Sequence, residues 1–424
     1  MSMVAWDSGD NIMSVEYPAR LLLGAMMWAC LTSITATAGP VARYIEVQLR
    51  AVRSLEAQID ALADLADESA SRLLAGGLFL AGEKGIVLEL TCRAGGPCAT
   101  KRLALDKPLP ALGANDIVLL SDYGAPGTLD AALGKLGSTP ALAIVFASKE
   151  SPALRNCAHA NVRIVPVDIA PDSCVVTLPT GERLIPAAAP AIAVAQWAYT
   201  AELLAACRRR RKQLAIYLSV HLDEGRRRFK RTKGLLFEPD MQPEPVPRGE
   251  YGRAFLAAVR ESLEAVRREE AGRIRKAAGW LREAMAAHGQ IVRNLHGHLP
   301  PTEAGIRGDV SFFTQTTRGT GEKGEKWICD RLHEDDVYLF VGYQLNEDAM
   351  AAAANALGAR TIFMTSSAPG AEQARNPRHL YINPHWPLTD ACLELPGYDV
   401  KACPLSGIMG LTCYYAICGE AASP

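Results

Sequence analysis

The sequence predicts two α/β domains, each a doubly wound parallel sheet covered by helices, related by internal duplication. Three observations carry that expectation. Short runs apolar on both faces, IVLL, LAIVF, VRIVPV, VYLFV and TIFM, alternate with Ala-rich helical segments, as strands of a helix-covered parallel sheet do. Three blocks recur in the same order in the second half. The 424 residues, 49% hydrophobic and 21% charged, suffice for more than one core and exclude a largely disordered polyampholyte.

The first 42 residues read as a leader. After Arg20 the run LLLGAMMWACLTSITATAGP ends in Ala36-Thr37-Ala38, which mimics an export signal, but Asp7, Asp10 and Glu16 precede it. A docking N-terminal helix in a cytoplasmic protein is the expectation, with export as its alternative. Eleven scattered cysteines without a C-x-x-C pair fit reduced thiols rather than a disulfide framework or a zinc ribbon. No later segment reaches the ~18 apolar residues of a spanning helix.

Residues 43–205 form the first expected domain and 251–424 the second. A helical pattern at 43–74 precedes the first sheet, and Phe255, Val259, Leu263 and Val266 mark another at 251–287 before the second. LADLADESASRLLAGGLFLAGEKG (62–85) then parallels IRKAAGWLREAMAAHGQIVRNLHGH (274–298), each a helix, a Gly, a strand and a loop. Asp116 and Asp336 open matched strand-loop-helix-strand blocks. LPTGERLIPAAAP (178–190) parallels LPGYDVKACPLSG (395–407), each leading into an apolar helix.

Between the domains, 206–250 is a connector. Residues 207–233 hold eleven Arg and Lys against Asp223 and Glu224, leaving the rest of the chain with 34 bases against 44 acids. The near-neutral total thus hides a cationic segment, read as a solvated helix docking on an acidic body and not as a nucleic-acid site, since few aromatics interleave it. The prolines of EPDMQPEPVPRGE then impose an extended linker.

Ligands of open parallel sheets bind beyond the carboxyl ends of the strands. In the first half those loops carry Glu83 and Lys84, and then SDYGAPGT with Ser121, Tyr123, Gly124, Gly127 and Thr128. Glycines, hydroxyls and a following helix N-terminus suit an anion, although an ordinary turn with Thr128 as N-cap fits the same residues. The second half offers His296 and His298 in NLHGHLPPTE, and Tyr343 and Asn346 in VGYQLNED, where Glu347 and Asp348 would oppose a phosphate. His333, His379 and His385 are further imidazoles that could join them. The hairpin-like segments add Glu182, Asp399, Lys401 and Ser406. The Thr- and Gly-rich stretch 307–327 reads as a strand and a surface loop.

The paired strand-loop-helix blocks resemble the sugar isomerase (SIS) domain in tandem, over most of 43–205 and 251–424, a flavodoxin-like fold. The family's phosphate loop is S-x-S-G-x-T; SDYGAPGT is similar but lengthened, with Ser121, Gly124 and Thr128 at the Ser, Gly and Thr positions and Tyr123 replacing the middle Ser. The resemblance implies a phosphorylated-sugar ligand, no cofactor or metal, no membrane, and a homodimer or paired halves. It implies that Glu182 resembles the general base of an aldose–ketose isomerase, with Asp399 at the matching place in the second half and His298 assisting ring opening. The alternative is a non-catalytic sensor or scaffold with degenerate sites.

Overall fold

In the computed structural model the described residues are 39–423, apart from 83–88, 123–127, 156, 158, 171–172, 306–307, 318 and 344–346. The leader read from residues 1–38 lies outside them. The 43–74 pattern is two helices, α1 (Pro40–Glu56) and α2 (Ile59–Leu74). There follow β1 (Phe79–Gly82), β2 (Lys101–Leu103), β3 (Ile117–Ser121), α3 (Thr128–Leu136), β4 (Leu142–Ser148), α4 (Pro152–Arg155) and β5 (Val162–Val167). All pairings in this sheet are parallel, in the order β2-β1-β3-β4-β5. A hairpin of β6 (Cys174–Thr177) and β7 (Arg183–Pro186) leads into α5 (Ala188–Arg209).

The second half repeats this plan. A long helix comprises α7 (Glu250–Ala265), a π-helical turn at Val266–Glu270 and α8 (Ala271–Ala286), after the connector helix α6 (Asp223–Thr232). Its sheet uses β8 (Ile291–Leu295), β9 (Gln315–Thr317), β10 (Val337–Val341), β11 (Arg360–Met364) and β12 (His379–Ile382), parallel in the order β12-β11-β10-β8-β9. Read from the other edge, this matches the first sheet strand for strand. Helices α9 (Pro300–Glu303), α10 (Gly321–Cys329), α11 (Asp348–Ala356) and α12 (Ala371–Arg375) connect the strands, and the hairpin β13 (Ala391–Leu393) with β14 (Ala402–Pro404) leads into α13 (Ser406–Ala422). The fold is α/β with two parallel five-stranded sheets.

Apolar sequence decides these elements. In β3, β4 and β10 every residue is buried, because helices cover both faces of each sheet. Helices α5 and α13 are apolar all round and buried almost throughout, as an interior helix must be. Helix α5 packs on α2 and α7, and α13 on α8 and α1. One apolar core therefore runs unbroken from Ile45 and Phe146 through Trp197 to Phe255, Leu339 and Tyr414. Glu202, inside α5, caps the start of α7: its carboxylate accepts from the Gly249 N–H at 2.9 Å and the Gly252 N–H at 2.7 Å. A Cβ at 252 would stand 2.3 Å from Ile59 Cδ1, so a side chain there would require the Ile59 side chain to shift.

Two local expectations change. Within the stretch 307–327 a helix, α10, begins at Gly321, because Ile328 is buried and Trp327 packs against the apolar layer beneath it. Of the long helical connector, residues 206–209 finish α5, Asp223–Thr232 forms α6 and Glu250 opens α7; Gln213–Tyr217 runs extended, bridging to Phe237 and Pro97.

Candidate functional site

Both sheets have the strand order 2-1-3-4-5, whose topological switch point lies between the first and third strands. At the carboxyl ends of β8 and β10, the switch point of the second sheet, a cavity of about 360 Å³ opens. His296, Gly297 and His298 follow β8, Tyr343 and Glu347 follow β10, and Thr320 precedes α10. The opposite wall comes from the connector, with Tyr217, Ser219, His221 and Phe229, and from Cys92 and Ala94 of the first half.

The geometry follows from local sequence. Gly297, at φ +93°, reverses the chain between the two histidines, a conformation that costs glycine nothing. The His296 N–H donates to the Val341 carbonyl at 2.8 Å, and its ring packs 5.4 Å from that of Phe340. The Glu347 carboxylate accepts from the Gly321 N–H at 3.4 Å, so it sits at the positive end of α10. Tyr343 is fixed through its carbonyl, which accepts from Trp386 Nε1 at 2.9 Å, and its ring tilts against His221 at 5.5 Å. Tyr217 stacks on Phe229 at 5.3 Å. Among the described residues no Lys or Arg lines the cavity, and no group of three or more His, Cys, Asp or Glu is arranged to hold a metal ion.

The structure thus brings His296, His298, Tyr343 and Glu347 together. It does not bring Glu182 or Asp399 to them. Glu182 is exposed on the turn of the β6–β7 hairpin. Asp399 is paired with Arg228, Nη1 lying 2.8 Å from both carboxylate oxygens, on a side chain 68% exposed. Ser406 opens α13 and is buried, its Oγ accepting from Arg93 Nη2 at 2.9 Å. Ser121 ends β3, also buried, at the switch point of the first sheet. Glu83, Lys84, Tyr123, Gly124, Gly127 and Asn346 lie outside the described residues; Thr128 begins α3, and its side chain lies outside them too.

The remaining histidines stand apart from the cavity. His379 is buried beside the Thr361 hydroxyl, 2.8 Å from Nδ1, and desolvation pushes its ring down to about 4. His385 Nε2 lies 3.8 Å from carboxylate oxygens of Glu269 and Glu270, at the π-helical turn.

Sequence reasoning missed the connector wall. Read as a solvated cationic helix, the connector in fact buries its key bases. Arg208, 1% exposed, donates to Gln213 and to the Pro396 carbonyl, and Arg228 lies between Glu238 and Asp399. The apolar LAIYL between the two Arg clusters is the signal that this segment packs inward. Arg226, Arg227, Lys230, Arg231 and Lys233 remain exposed.

No protein-family profile and no curated protein matches the chain. Solved structures do. Tagatose-6-phosphate ketose/aldose isomerase from Escherichia coli is 12% identical over 92% of this chain and 92% of that one, with a TM-score of 0.46. The C-terminal domain of glucosamine-fructose-6-phosphate aminotransferase from Francisella tularensis is 9% identical over 89% of this chain and 95% of that one, with a TM-score of 0.45. No helix among the described residues is long and apolar enough to cross a membrane.

Proposed function

We propose that the chain binds a phosphorylated sugar in the cavity at the switch point of its second sheet. The observation that carries this reading is the convergence of His296, His298, Tyr343 and Glu347 with the connector's Ser219 and His221 on one cavity. The chemistry suits a small polyhydroxylated anion. Imidazoles can carry positive charge near neutral pH, Thr320 and Ser219 add hydroxyls, Glu347 accepts from sugar hydroxyls, and the Tyr217 and Tyr343 rings offer flat faces to C–H groups. The SIS-like loop from Ser121 to Thr128 is a second candidate phosphate site, at the equivalent place in the first half.

Aldose–ketose isomerisation is a second reading, favoured by one feature: a carboxylate, Glu347, and three imidazoles line the same cavity. That reaction needs a base for the carbon-bound proton and an acid at the carbonyl oxygen. A non-catalytic sensor needs neither.

Thermal shift against a panel of hexose and hexosamine phosphates separates the outcomes. A sugar phosphate at 100 times its dissociation constant should add about 2.7 kcal/mol of stability, and His298→Ala should abolish the shift. No shift with any sugar phosphate would reject the reading. Conversion of fructose 6-phosphate that disappears in Glu347→Gln would establish turnover; binding without conversion would establish the sensor.

A further inference from the structure

The cavity at the switch point of the second sheet carries a carboxylate, Glu347, on one wall, and among the described residues no Lys or Arg lines it. A phosphate set deep in that space would meet Glu347 with no fixed cation between them, and like charges at close range repel. The positive charge that a dianion needs therefore stands outside the lining. The connector supplies it.

Helix α6 contributes Phe229 to the wall opposite Glu347. Its inward face is Gly225, Arg228 and Thr232, all buried. Arg226 and Lys233, three residues before Phe229 and four after it, flank that ring on one side of the helix, and both are exposed. The two cations differ in what holds them. Arg226 pairs with Asp223, and its Nη1 donates to the Val220 carbonyl at 2.9 Å and the His221 carbonyl at 3.5 Å, so it steadies the two residues that form part of the cavity rim. Lys233 makes no ion pair among the described residues; its ammonium lies 5.6 Å from the centre of the Phe229 ring. That contact keeps an unneutralised cation beside the ring that lines the cavity. Arg227 and Arg231, each two residues from Phe229, project from another side of the helix.

We infer that Lys233 is the phosphate-recognition residue of this cavity: the phosphate monoester sits at the connector rim on the Lys233 ammonium, and the sugar hydroxyls reach inward to Glu347, His296 and His298. The inference rests on the sugar-phosphate reading of the same cavity and deepens it, because it fixes which end of the ligand lies where. A cation at one end and a carboxylate at the other also select a ligand with a single anionic end, a sugar monophosphate and not a bisphosphate.

Calorimetric titration of the full chain tests this. Lys233 is exposed, so Lys233→Gln leaves the fold intact, and it should weaken fructose 6-phosphate about tenfold or more, the scale of one charge-assisted hydrogen bond. Arg231→Gln, of equal charge change on the same helix, should leave the affinity nearly unchanged. Equal losses in the two variants, no loss in Lys233→Gln, or tighter binding of fructose 1,6-bisphosphate than of fructose 6-phosphate would each overturn the proposal even though a sugar phosphate binds. Failure of the sugar-phosphate reading itself shows differently, as no binding of fructose 6-phosphate to the unaltered chain. Inorganic phosphate then reports on the rim: with the lysines 13C-methylated, the Lys233 signal, identified by its loss in Lys233→Gln, should move ahead of that of Lys212, an exposed lysine elsewhere on the connector. A selective move without fructose 6-phosphate binding keeps the anion site and counts against the sugar; a Lys233 signal that does not move ahead of Lys212 would overturn the proposal.

Discussion

Asp116 and Asp336 do the same work in the two halves. The Asp116 carboxylate accepts from the Leu78 N–H, just before β1, and from the Gly113 N–H; Asp336 accepts from the Gln290 N–H, just before β8, and from the His333 N–H. Each acid ties the start of its third strand to the start of its first. Even the glycines agree: a Cβ at Gly77 would meet the Asn115 carbonyl, and one at Gly289 the Asp335 carbonyl, at 1.9 and 2.4 Å. The duplication read from sequence blocks is thus visible atom by atom.

Asp116→Ala and Asp336→Ala should each cost about 1–3 kcal/mol, because each leaves backbone donors without their acceptor. The sites lie in different sheets, so the double variant should lose the sum of the two. Urea unfolding of the three variants checks this.

Gly77→Ala and Gly289→Ala should destabilise comparably, with Gly77→Ala the worse, since its methyl meets a backbone oxygen at shorter range. Gly134→Ala, in the middle of α3 with open space around its Cβ position, is the control. It should be neutral or stabilising by up to about 1 kcal/mol.

Glu303 gives a pH dependence with a definite sign. Burial raises its carboxyl to about 7. A raised carboxyl binds its proton more tightly in the folded state, so its contribution is fully present below about pH 4.5 and is lost as pH rises through 7. The loss approaches 3 kcal/mol, counted at about 1.4 kcal/mol per pH unit. Glu303→Gln should flatten that part of the stability profile between pH 5 and 8, measured by thermal melts.

Asp399 and Arg228 should separate a surface partner from a buried one. Asp399→Ala should change stability by less than about 1 kcal/mol, as an exposed ion-pair partner does, and leave ligand binding intact. Arg228→Ala should cost several times more, because it leaves Glu238 and the Tyr398 hydroxyl without their guanidinium. Chemical denaturation of both variants compares them.

The fold was legible because its strands are apolar on both faces and its repeat survives in block order; VYLFV and IVLL could hardly be anything but interior strands. Half of the site was legible for a related reason: His296, His298 and Tyr343 follow apolar strands, and in such sheets the following loop holds the ligand. Ser219, His221 and Phe229 were not. Their places depend on how the connector folds back onto the second sheet, a long-range contact that local pattern does not encode. Asp399 was misplaced by the same blindness, since its loop turns toward Arg228 of the connector.

The most direct test of the account is imidazole 15N spectroscopy during titration with fructose 6-phosphate and its amino and N-acetylated counterparts. The expected result is a saturable perturbation of His221, His296 and His298, with His159, His333 and His379 unchanged. A titration that moves none of the three cavity histidines, or moves only those outside the cavity, would contradict it.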